Sequence, residues 1–92
     1  MLSKNQRLAL EAAKGLEFCL VVVTEGFRHR SSGKNVPIGS RGKVSGVCWT
    51  VQRNTLQITY ELTLNYESAP MGSIHVHNLS ASQFGRYIKV SH

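Results

Sequence analysis

Thr55-Leu56-Gln57-Ile58-Thr59-Tyr60-Glu61-Leu62-Thr63-Leu64 alternates without a break: every second residue is apolar, and every residue between is Thr, Gln or Glu. Strand side chains point by turns to opposite faces. The spacing therefore predicts a β-strand with Leu56, Ile58, Tyr60, Leu62 and Leu64 inside and Thr55, Gln57, Thr59, Glu61 and Thr63 facing water. A slip of one residue would turn the whole apolar set outward, so the stretch also specifies its own register. Arg53-Asn54 just before it reads as a hairpin turn, and residues 41–51 as the partner strand. Gly42 and Gly46 in that partner mark a bulge, or a bend of the kind small barrels use at corners.

Working outward, Ser3 followed by Gln6 is a capping-box signature, and the Leu-, Ala-, Glu- and Arg-rich run after it ends at Gly15, which predicts a helix over residues 3–15. Its narrow stripe of Leu8, Ala9, Ala12 and Ala13 suits docking on a sheet. Residues 16–24 are dense in β-branched and aromatic types and read as a strand buried on both faces. Residues 26–40 change to Arg, Ser, Gly, Lys, Asn and Pro and read as one long loop. Ala69-Pro70-Met71-Gly72 reads as a turn, residues 73–78 as a fourth strand, residues 79–85 as a short helical or irregular turn, and residues 86–90 as a fifth strand. The expectation is a single, mainly β domain over 1–92, with an N-terminal helix at 3–15 and a five-stranded antiparallel barrel at 16–90.

A chain of 92 residues has room for one core, and 41% hydrophobic against 17% charged residues is enough to build it. The longest apolar run, residues 18–23, is far short of the roughly 20 residues of a membrane span and is no signal-peptide pattern, so a cytoplasmic protein without targeting segment is expected. Cys19 and Cys48 lie in apolar runs and read as buried thiols of a reduced intracellular protein.

Charge is unevenly placed. Residues 26–60 hold Arg28, Arg30, Lys34, Arg41, Lys43 and Arg53 and no acid, whereas Lys4, Arg7, Lys14, Arg86 and Lys89 balance the five glutamates elsewhere. All the net charge of +6 thus falls in one window, which favours a polyanionic partner.

Val36-Pro37-Ile38-Gly39-Ser40-Arg41-Gly42-Lys43-Val44-Ser45-Gly46-Val47 resembles the KOW motif, in which an apolar residue and glycines enter a strand leading to a hairpin. The strand order over residues 16–90 is similar to that of SH3-like small barrels. The resemblance implies a barrel that contacts RNA, DNA or the transcription machinery, with Gly42, Val44 and Gly46 structural and Arg41 and Lys43 displayed beside the long loop. Apart from Phe27 and Trp49 the chain has no aromatic cluster near its basic loop, so phosphate contact is expected in place of base stacking.

The catalytic alternatives are thin. His75 and His77, two apart, share a strand face suited to a metal, but no third ligand has the right spacing and they read as surface histidines. Cys19 and Cys48 sit among Leu, Val and Trp, where burial disfavours the reactive thiolate. Gly39-Ser40-Arg41-Gly42-Lys43 is no phosphate loop, because Pro37 stands where the first glycine belongs and Val44 follows the lysine. Glu61 and Glu67 flank a turn with no catalytic partner between them. Trp49 reads as core and Phe27 as either core or contact. These residues predict a non-enzymatic, cofactor-free nucleic-acid-binding barrel of low sequence specificity, in which Arg28, Arg30, Lys34, Arg41, Lys43 and Arg53 touch the phosphates of DNA or RNA. The alternative is a small protein-interaction module, such as a phage or mobile-element protein that binds a host enzyme or transcription component. An exposed patch around Phe27, Val36 or Ile38 would mark that module.

Overall fold

The computed structural model of the chain describes residues 2–28, 35–66 and 73–91. Helix α1 spans Lys4–Lys14, and its capping box is complete: the Ser3 hydroxyl accepts from the Gln6 amide while the Gln6 side chain accepts from the Ser3 amide. Leu10 and Ala13 are its buried residues. Strands β4 (Arg41–Gln52) and β5 (Thr55–Tyr66) form one long antiparallel hairpin. Arg53 and Asn54 turn it with φ of 52° and 63°, two left-handed residues in succession, which is how a tight turn follows the right-handed twist of its strands. The Gln6 side-chain Nε2 donates to the main-chain carbonyl of Asn54 at 2.7 Å, which sets the first turn of α1 at the hairpin tip.

Five strands build the main sheet in the order β6-β5-β4-β1-β7, all antiparallel, with β1 at Leu20–Val23, β6 at Ser73–Ser80 and β7 at Ile88–Val90. The two edge strands are joined by helix α2, Ala81–Tyr87, capped by a second box from Ser80 and Gln83. From Ser80 to Ile88 a helix covers about 12 Å. The edges of a flat five-stranded sheet lie about 19 Å apart. The sheet must therefore curl to bring β6 and β7 to the two ends of α2, although the two exchange no ladder among the described residues. The register shift between Val44 and Gly46, where β4 carries an extra residue opposite Glu61, is one source of that curl.

The core lies on the concave face. Val21, Val23, Val44, Leu62, Leu64, Tyr66, Leu79 and Ile88 line it, and Tyr60 stacks on Phe84 of α2 with ring centroids 4.2 Å apart. Burial pushes the Tyr60 and Tyr66 hydroxyls above their ordinary pKa. Residues 26–40, which read as one long loop, instead contain a small two-stranded sheet of β2 (Phe27–Arg28) and β3 (Asn35–Val36). It closes over the core: Val36 is buried, and Phe27 stacks on Tyr87 at 5.0 Å and meets the edge of His77 at 5.7 Å.

Several expectations change. The strand read over 16–24 is only Leu20–Val23, and it alternates, with Val21 and Val23 buried and Leu20 exposed. Cys48 is exposed and Cys19 only partly buried. The bulge explains Cys48, because the extra residue shifts the phase of β4 and places Val47, Trp49 and Val51 on the inner face in its stead. Trp49 is still 42% exposed, since β6 ends opposite Thr59 and leaves the hairpin end without a further strand beside it. His77, read as a surface residue, is 2% exposed: it pairs with the fully buried Leu62, and its Nε2 lies 3.0 Å from the Tyr66 hydroxyl. The turn read at 69–72 lies outside the described residues.

Candidate functional site

Because side chains alternate along β4, Arg41 and Lys43 share the outer, convex face, while Gly42 and Val44 turn to the core. The cross-strand register builds two rows around them. Lys89, Val22, Arg41 and Asn65 follow one another across β7, β1, β4 and β5. Leu20, Lys43, Thr63 and Val76 do the same across β1, β4, β5 and β6. Between the rows runs a groove of about 430 Å³ lined by Leu20, Val22, Arg41, Lys43, Thr63 and Asn65 among others, with Ser91 at its end. Its lining is largely apolar, Arg41 and Lys43 are the cations in it, and no carboxylate lines it.

Arg41 and Lys43 stand about 7 Å apart along the strand, and Lys89 about 10 Å away across two strand spacings. All three are exposed. Glu61 is the acid on the same face, two residues along β5 from Thr63, and its carboxylate accepts a 3.2 Å hydrogen bond from Ser45. Arg86, by contrast, is committed elsewhere. It pairs with Glu25 at 3.2 Å and lies over the Tyr87 ring, and the hydrogen bond and charge of Glu25 raise its pKa further.

Of the six cations singled out in the sequence, Arg41 and Lys43 meet on this face. Arg28 is exposed on β2, in the small sheet that covers the opposite, core face. Arg53 sits at the hairpin tip, ten residues or about 30 Å along β4 from Lys43. Arg30 and Lys34 lie outside the described residues. Contiguity in sequence thus does not gather the window into one patch.

Two residues of this face are not singled out by the sequence. Lys89 belongs to the charge-balanced part of the chain, yet its register opposite Val22 brings it to the same outer face as the groove. Leu20, in a stretch that reads as a strand buried on both faces, lines the groove and is 63% exposed. An alternation test over residues 20–23 would have singled out both Leu20 and Val22. Among the described residues, no three of His, Cys, Asp and Glu come together in a way suited to a metal ion, and no helix is long and apolar enough to cross a membrane.

Comparison with protein-family models, with curated proteins and with solved structures finds no match for this chain.

Proposed function

We propose that this chain is a non-enzymatic nucleic-acid-binding protein of the SH3-like small-barrel kind that holds phosphates on the outer face of its sheet. The strand order supports the barrel reading: a segment between β1 and β4 that carries the β2–β3 pair, a meander through β4, β5 and β6, and a single short helix before the last strand. One observation carries the ligand reading: Arg41 and Lys43 stand on the same face of one strand and line a groove whose lining contains no acid. Exposed, uncommitted cations of this kind release counterions when they meet phosphates. Recognition through such contacts positions a backbone and reads little sequence.

The test is positional and matched in charge. Arg41→Ala with Lys43→Ala is compared with Lys4→Ala with Arg53→Ala, which removes the same charge at the far end of the hairpin. The groove pair is expected to lessen the slope of log affinity against log salt by about 1.4 to 1.8, and the tip pair by clearly less. Equal losses would make the attraction a matter of net charge and sink the site. No binding to DNA or RNA at low salt would sink the nucleic-acid reading.

The protein-interaction alternative draws on a different place. Phe27 and Val36 belong to the core or its margin, so of the patch named for that alternative only Ile38 is exposed. Exposed Trp49 and Val51 on the overhanging hairpin end are what supports it.

A further inference from the structure

Phosphate contact accounts for the cations of the groove and leaves its apolar lining unexplained. Leu20 lies in the middle of the basic face with 63% of its surface in water, Val22 is half-buried beside it, and Val76 is exposed at the end of the same row. A duplex turns its phosphates outward and stacks its base faces away, so it has nothing apolar to lay there. Unpaired bases do.

Phe18 adds an independent observation. It is 68% exposed, belongs to no strand, and adopts a φ of 66°. A bulky residue in the left-handed region is an outlier, and such strain gathers at functional positions. Its backbone is held in place: the Phe18 amide donates to the Val44 carbonyl at 2.7 Å, and the Val44 amide to the Cys19 carbonyl at 3.0 Å. These bonds set the Phe18 backbone beside Val44, the residue that follows Lys43, and two residues before Leu20. An exposed ring next to cations and apolar side chains is the combination that binds single strands with little regard to sequence.

We infer that the ligand of this face is single-stranded nucleic acid, with bases resting on Leu20, Val22 and the Phe18 ring and phosphates meeting Arg41, Lys43 and Lys89. This rests on the phosphate-contact reading above. Thr63 and Asn65 line the far wall, where their side chains are placed to hydrogen-bond base edges. Glu61 bounds the site on one side, and Glu17 precedes Phe18 in the chain.

Fluorescence anisotropy with labelled oligothymidylate, oligouridylate and a duplex of equal length tests it at low salt, using the full chain and its Phe18→Gly, Phe18→Tyr and Leu20→Ser variants. Phe18→Gly removes the ring and the backbone strain together. It is expected to hold or raise the melting temperature while weakening single-strand binding at least about fivefold and leaving duplex binding as it was. Phe18→Tyr keeps the ring and is expected to bind like the parent; Leu20→Ser is expected to weaken the single strands selectively. Equal binding of duplex and single strands that is indifferent to Phe18→Gly would overturn this inference and leave the phosphate reading standing. A melting temperature that falls in Phe18→Gly, with all binding lost in parallel, would make Phe18 a structural residue and overturn it as well. Absence of binding to every nucleic acid would overturn both readings.

Discussion

A methyl group at Gly42 would run into the Thr63 carbonyl oxygen and the Leu64 Cα, so β4 and β5 approach there as closely as the backbone allows. The demand falls on one residue, between the two cations of the groove, and any side chain at that position would push Arg41 and Lys43 out of register with Thr63 and Asn65. Depth in the core varies just as sharply along a single strand. Leu62 is fully buried, whereas Ile58, with the same phase and much the same volume, is only partly covered because β6 has ended. Leu62→Ala is therefore expected to cost about 2 to 5 kcal/mol and Ile58→Ala roughly half of that, measured by chemical denaturation. Equal costs would mean that the end of the hairpin is covered in solution.

The β4–β5 hairpin is the element on which the others are assembled, and its turn is not ideal. Arg53 takes a left-handed conformation that favours Gly or Asn and costs an ordinary L-residue about 1 to 2 kcal/mol. Arg53→Gly is expected to stabilise the chain by about 1 kcal/mol in thermal or chemical denaturation, allowing for the greater freedom of glycine in the unfolded state. It should leave polyanion binding nearly unchanged, because the tip is remote from the groove. A marked loss of affinity would instead make Arg53 a contact residue. The small β2–β3 sheet works in another way: with so few ladder bonds of its own, it is held to the core by Phe27 and Val36. Tyr87 anchors the segment just before it, its carbonyl accepting from the Thr24 amide at 2.8 Å.

On the scale of the whole molecule, the charge balance of the sequence gives way to the placement of charge in space. Arg86 and Lys89 lie three residues apart and look equivalent in the chain. In the fold Arg86 is engaged with Glu25 at the end of α2, while Lys89 stands opposite Val22 on the outer face that carries the groove. Lys89→Ala is expected to weaken single-strand binding and reduce the salt slope by about 0.7, whereas Arg86→Ala is expected to change either quantity little. Its exposed ion pair also contributes little to stability, so the melting temperature should scarcely move. Identical effects of the two substitutions would show that the fold does not select among its cations.

By itself the sequence determined what rests on neighbours along the chain. The capping box of α1, the turn at Arg53-Asn54, the phase of β5 and the mainly β, five-stranded antiparallel composition all follow from local spacing, because helix and strand periods are properties of consecutive residues. The inward position of His77, the outward turn of Cys48, the exposure of Phe18 and Leu20, and the meeting of Lys89 with Arg41 and Lys43 belong to the tertiary structure. Each depends on which residue of one strand stands opposite which residue of another. That register is set by a single bulge, by the early end of β6 and by a sheet curled until α2 can join its edges. Residues far apart in the chain become neighbours only then, and the groove exists only between them.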